Sequence, residues 1–276
     1  GRPVAPALLW LDSRAGRLVE EIRSSERNAP LYRRTGSGLN ACQQGPQLAW
    51  LQAHMPEAIA RATTAFHCKD WLYFLLTGER ATDPSEATFS CGDFRKRGFD
   101  AETAGLIGIA DLTRLFPPVV DGAVMTHPLT AAAAIEIGLP AGVPVCLGYV
   151  DVICNALGAG LYDPSPDVGC TIIGSTGMHM RLVPSADAVT LNREATGYTM
   201  PFPVPGHYAQ MQSNMAATLN IDWMLDLACD LLAAEGVTRT RTELILRLDD
   251  QVLRARPGEV LFHPFISDAG ERGPFV

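Results

Sequence analysis

Apolar positions along this chain of 276 residues recur either in helical steps or in short runs, and each rhythm predicts its own element. Helical spacing marks Val19 to Ile22, Gln47 to His54 with Pro46 in the first turn, and the long stretch Pro56 to Leu76. It returns in a segment from Ala101, in Leu129 to Ile137, in Met215 to Leu232 and in Leu244 to Leu253. Between Pro56 and Leu76 the residues Ile59, Ala62, Phe66, Trp71, Phe74 and Leu75 make one apolar pattern, so a single helix is expected, capped by Gly78. Gly138 and Pro140 stop the alanine-rich helix. Thr82 to Ala87 reads as a capped turn.

Short apolar runs predict strands at Pro6 to Trp10, at Val143 to Val150 and at Glu259 to Phe265, and the second is unbroken enough to be covered on both faces. Beyond Asp163-Pro164-Ser165-Pro166-Asp167 the pattern changes to antiparallel strands at Gly169 to Ile173, Met178 to Val183 and His207 to Gln212. The expected class is α/β, with a domain boundary at that connection, giving residues 1–163 and 164–276.

Composition narrows the function. A hydrophobic fraction of 47% supports a large core, and a net charge of -8 without any basic run argues against a nucleic-acid partner. The seven cysteines are scattered, without the close pairs of a zinc or redox site, and the six histidines lack ligand spacing, so no protein-held metal is expected. No apolar stretch reaches the ~18 residues of a membrane span and no signal-peptide pattern is present, which makes the cytoplasm the expected compartment.

Two segments carry candidate chemistry. Asp151 ends the apolar run Val143 to Val150 and opens a helix, where a carboxylate serves either as a cap or as a base. Gly174-Ser175-Thr176-Gly177 follows the next strand, and such a turn offers N–H groups and hydroxyls to a phosphate or is merely a turn. Their order, each at the carboxyl end of a strand, is the arrangement in which open α/β sheets place ligands.

Together with Leu8-Leu9-Trp10-Leu11-Asp12-Ser13-Arg14, Lys69-Asp70-Trp71-Leu72, Leu76-Thr77-Gly78-Glu79, Thr82-Asp83-Pro84-Ser85 and Gly270-Glu271-Arg272, these motifs resemble the FGGY carbohydrate kinases. The resemblance implies two ribonuclease-H-like domains of the actin-like ATPase fold, with mixed sheets flanking a cleft, present here as a partial chain. The family's amino-terminal phosphate hairpin and carboxyl-terminal adenosine site find no match. It further implies ATP and Mg²⁺ as cofactors, Asp151 as the catalytic base, and Gly174, Ser175, Thr176 and Gly177 at the transferred phosphate. Trp10, Asp12, Arg14 and Gln43 would join Asp151 at the substrate. For Trp10, Asp12 and Arg14 a core tryptophan and an internal ion pair explain the residues equally well, and Gln43, with Asn40, Cys42 and Gln44, also fits an ordinary loop. Met178 and Gln212 to Asn214 lie in regions comparable to substrate contacts, and Glu271 and Arg272 would shape the nucleotide half.

Within the family the wording around Asp151 and the turn is most similar to the branch acting on tetritols, so the implied substrate is a small polyol, erythritol first. Pentulose kinases of xylulose or ribulose and a non-catalytic sugar-sensing relative are the alternatives. Val152 replaces the amide that many relatives carry after the aspartate, Ser175 precedes Thr176 against the commonest order, and Cys42 replaces a tyrosine of glycerol-type members. A homodimer is the expected assembly.

Overall fold

A computed structural model describes residues 1–165, 167–214, 216–256 and 258–260. These divide into two compact units, residues 1–170 with 180–212, and residues 171–179 with the described residues from 213 onward.

The first unit is a mixed α/β body rich in short helices. It begins with α1 (Gly16–Arg23), α2 (Asn28–Thr35), α3 (Gln44–His54), α4 (Pro56–Arg61), α5 (Cys68–Thr77) and α6 (Pro84–Cys91). The two-residue strands β1 (Gly92–Asp93) and β2 (Gly98–Phe99) pair antiparallel and lead into α7 (Ala101–Ile107) and a 3₁₀ turn over Ala110–Leu115. Strand β3 (Thr126–Pro128), α8 (Ala131–Ile137), β4 (Pro144–Cys146) and α9 (Asp151–Gly158) follow. Ala15, Val19 and Ile22 recur at steps of four and three, so one face of α1 enters a core with Leu31, Leu48, Ile107, Ile109, Leu112 and Leu115.

A four-stranded sheet follows, made of β5 (Cys170–Ile173), β6 (Gly177–Val183), β7 (Tyr198–Pro201) and β8 (Tyr208–Asn214) in the order β5-β6-β8-β7. β7 and β8 are antiparallel, with Tyr198 opposite Met211 and Pro201 opposite Tyr208. Within the first unit the segment 180–212 returns to the early helices. Asn40 Nδ2 donates to Tyr198 Oη at 3.0 Å, Tyr32 Oη to the Thr196 carbonyl at 3.1 Å, and the Thr199 N–H to Ser37 Oγ at 3.1 Å. The second unit carries α10 (Thr218–Ala234) and α11 (Arg241–Arg254), joined by ion pairs from Arg241 to Asp222 and Asp226.

Three expected elements take another form. Residues 6–10 are not a buried strand; Leu9 and Trp10 are 68% and 54% exposed, and no described strand lies alongside to satisfy their backbone. Val143 to Val150 contains only the three residues of β4, antiparallel to β3 with Val145 opposite His127, and Pro144 and Cys146 are exposed rather than covered. An apolar run alone does not distinguish a doubly covered strand from an edge piece. The single helix from Pro56 to Leu76 is two, because Ala62 turns extended at φ -72°, ψ 137° and α5 starts afresh after His67. Arg114 braces that break by donating to the carbonyls of Ile59 and Ala62, the Ile59 oxygen also accepting the Ala62 N–H at 3.2 Å. Gly78 does cap α5, in the left-handed conformation at φ 79°. Most of the strand expected over 259–265, and Gly270-Glu271-Arg272, lie outside the described residues.

Candidate functional site

Asp151 is the first residue of α9, and its carboxylate is exposed. One oxygen accepts the Val152 N–H at 2.7 Å, and among the described residues no cation pairs with it. The backbone just before it is fixed at both ends. The Val150 carbonyl accepts from Ile153 and Cys154 at 2.9 and 3.1 Å, and the Val150 N–H donates to Ser85 Oγ at 3.0 Å. Ile153 and Ala156 anchor the inner face of α9 in the core, which leaves its first turn open to solvent.

Behind Ser85 lies a buried polar cluster. Ser85 Oγ donates to Asp83 Oδ1, which also accepts the Ser85 N–H at 2.8 Å as the N-cap of α6. Lys69 Nζ sits 2.6 Å from Asp83 Oδ2, an ionic contact without aligned hydrogen-bond geometry, and donates to Asp70 Oδ1 at 2.6 Å. His67 Nδ1 meets Asp70 Oδ2 at 3.1 Å, while its Nε2 faces Ser90 Oγ at 2.9 Å and Glu86 at 3.3 Å. Asp70, Asp83 and Ser85 are wholly buried.

The charges in this cluster hold one another. Burial works against a charged His67, yet Glu86 and Asp70 outweigh it and raise its pKa above the ordinary histidine value. Burial likewise opposes the Lys69 charge, but Asp83, Asp70 and Glu86 together raise the ammonium's pKa. For Asp70 burial is outweighed by His67 and Lys69, so its carboxyl is lowered; for Glu86 burial wins and its carboxyl is raised. An imidazolium fits the geometry, since both ring nitrogens face acceptors.

The sequence drew Lys69, Asp70, Asp83 and Ser85 into a family motif without a part in the chemistry and placed Asp83, Ser85 and Glu86 in a capped turn, and it overlooked His67 and Ser90. The available signal was a histidine, a lysine and the acids Asp70, Asp83 and Glu86 spaced among apolar residues within 67–86.

Trp10, Asp12 and Arg14 stand at the start of the same unit. Trp10 is exposed, and Asp12 and Arg14 form the internal ion pair, with Nε at 2.9 Å from both carboxylate oxygens. The Arg14 hydrogen bonds hold the Asp12 carboxyl below its usual range. Arg14 also covers the Trp50 ring at 4.6 Å, and Trp50 stacks on His54. Gln43 is buried and committed to its own loop: Oε1 accepts the Asn40 N–H at 3.0 Å, and Nε2 donates to Gly38 at 3.4 Å.

In the second unit the Gly174–Gly177 turn is braced by the start of α10. Ala217 and Thr218 donate their N–H groups to the carbonyls of Ser175 and Gly174, at 2.8 and 3.0 Å, and Gly174 N–H closes on the Thr176 carbonyl at 2.9 Å. With these carbonyls occupied, the exposed Ser175 and half-buried Thr176 present hydroxyls, a donor set suited to an anion. A Cβ on Gly177 would come 2.2 Å from Asn214 Oδ1, so a larger residue there requires the Asn214 side chain to swing aside. Among the described residues no three His, Cys, Asp or Glu side chains gather to cage a metal ion, and no helix is long and apolar enough to cross a membrane.

The profile of the FGGY family of carbohydrate kinases, N-terminal domain, matches residues 1–158, more than half of the chain. The chain belongs to this family. It is 49% identical over 275 residues to the erythritol kinase of Brucella abortus (strain 2308), an alignment covering all of this chain and 53% of that protein. The autoinducer-2 kinase of Escherichia coli (strain K12) is 30% identical over 265 residues, 94% of this chain and 48% of that one. Among solved structures, a xyloylose kinase from Brucella ovis superposes with a TM-score of 0.80 at 25% identity, over 99% of this chain and 52% of that one. The xylulose kinase from Rhodospirillum rubrum gives 0.72 at 27%, over 82% and 45%. The mixed α/β fold is thus that of the sugar kinases, and this FGGY chain spans about half the length of the curated relatives it matches.

Proposed function

We propose that the complete protein transfers the γ-phosphoryl group of ATP to a primary hydroxyl of a small polyol, erythritol first, in the cytoplasm and as a homodimer. The observation that carries this reading is the Asp151 carboxylate, exposed and, among the described residues, without a cation, while the backbone before it is pinned through Ser85 to a polar cluster. The 49% identity to an erythritol kinase supports the substrate.

In this reading Asp151 takes the hydroxyl proton as that oxygen bonds to the γ-phosphorus and the bond to ADP breaks. Trp10 and the Asp12–Arg14 pair contribute the substrate side, with the guanidinium already oriented by Asp12 and Trp50. Gln43, engaged within its loop, acts by holding that loop's shape. Gly174, Ser175, Thr176 and Gly177 supply donors to the phosphate being transferred. Mg²⁺, when bound, would neutralise phosphate charge; among the described residues no three His, Cys, Asp or Glu side chains gather to hold it.

A pentulose as substrate is the second reading, favoured by the likeness to xylulose kinases. ADP release by the complete protein with Mg-ATP and erythritol, glycerol, ribitol, xylulose or ribulose separates the two, with erythritol expected to give the highest kcat/KM. Asp151→Asn should lower kcat by about 10²- to 10⁴-fold while polyol binding persists. Silence across that panel, or an unaffected Asn variant, defeats the reading.

A further inference from the structure

The structure assigns to Ser85 the role of positioning residue for Asp151, linking the buried Asp83, which half-buried Lys69 faces, to the first turn of α9. The inference rests on the proposed role of Asp151 and deepens it.

A serine hydroxyl has one proton and two lone pairs. Here the proton goes to Asp83 Oδ1, so the oxygen is left to accept, and what it accepts is the Val150 N–H at 3.0 Å. The surroundings favour that direction, because the other oxygen of the buried Asp83 side chain faces the Lys69 ammonium at 2.6 Å. Val150 is the N-cap residue of α9, with its carbonyl already bound to Ile153 and Cys154. Fixing its N–H fixes the Tyr149–Val150 peptide, and with the carbonyl bound on the other side the residue before Asp151 is held at both ends. The Asp151 side chain accepts the Val152 N–H next to it, and its carboxylate is exposed. Its placement comes from the backbone, and the side chain that receives the Val150 N–H belongs to a residue 65 positions away.

Misplacing a catalytic group by about 1 Å costs on the order of 100-fold. In the complete protein, Ser85→Ala should lower kcat by about 10- to 100-fold and leave the KM values for ATP and polyol within about two-fold. Ser85→Cys, close in size but a weak acceptor, should show the same loss and guards against misfolding of the smaller variant. In an Asp151→Asn background the Ser85→Ala change should cost less than about two-fold more, since a positioning residue has nothing left to position. Amide exchange at Val150 reads the hydrogen bond without any assay of turnover, and should accelerate in both Ser85 variants. Unchanged kcat in Ser85→Ala and Ser85→Cys, an undiminished loss in the Asn background, or unchanged exchange would overturn the assignment. Absence of ADP release from the unmodified protein would instead strike the functional reading and leave the exchange result standing.

Discussion

The two candidate segments are held by opposite means. Asp151 is an exposed carboxylate whose backbone is tied to a buried set of ionised side chains, whereas the Gly174–Gly177 turn is held by backbone bonds from α10 and by the fit of a glycine against Asn214. A group that must present one atom at one place gains from a charged anchor, since breaking such an anchor is costly. A turn that offers several donors to an anion needs only its backbone path. The first arrangement is therefore sensitive to deleting charge, the second to adding volume.

Deleting charge should have the larger effect. Asp83→Ala removes the acceptor of Ser85 and one of the two close carboxylates of half-buried Lys69, and should destabilise the complete protein by about 3–5 kcal/mol, read as a lowered thermal midpoint. Adding volume comes next. Gly177→Ala drives a methyl group against Asn214 Oδ1 and should cost about 1–3 kcal/mol in the same measurement. Asn214→Ala placed in the same chain should recover most of that loss, and failure to do so would mean the turn is held by something other than this contact.

The charged anchor also predicts a pH signature. The folded His67 pKa is raised, with Glu86 and Asp70 outweighing burial, so its stabilisation is complete below the ordinary histidine value of about 6.5 and is lost as pH rises through the folded value. Between about pH 6 and pH 8 the thermal midpoint should fall more steeply in the unmodified protein than in His67→Gln. The smallest stability effect is expected at the turn's own hydroxyl. Ser175→Ala, at an exposed position, should shift stability by less than about 0.5 kcal/mol while lowering turnover by about 10-fold or more, which separates donor chemistry from fold.

Local chemistry in the sequence reached some of this and not the rest. Gly78 and Gly138 were legible as helix ends because an amphipathic run that stops on glycine is the usual signature of a left-handed cap, and both adopt positive φ. Asp151 was legible as the opening of a helix, again from its immediate neighbours. β7 was overlooked, since Tyr198–Pro201 is a short segment buried along its whole length and shows no alternation. The division of 56–76 depends on Arg114, more than fifty positions from the carbonyls it satisfies. The cluster around Lys69 was hidden for a related reason. Its members look like ordinary caps and helix starts one by one, and the contact of Ser85 with Val150 is a tertiary fact that no spacing along 67–90 reveals.

Arg97 carries a consequence for how the polypeptide is made. Its backbone sits at φ 54°, unusual for a side chain of its size, and its guanidinium donates to the carbonyls of Phe202 and His207, at 3.0 and 3.1 Å. Those acceptors are synthesised more than a hundred residues later. At about 5–20 residues per second the ribosome needs several seconds to cover that distance. Through that interval the Arg97 guanidinium lacks both acceptors, so the clasp it makes on the segment between β7 and β8 is a late contact, while the core of the early helices is drawn from residues 15–115 alone.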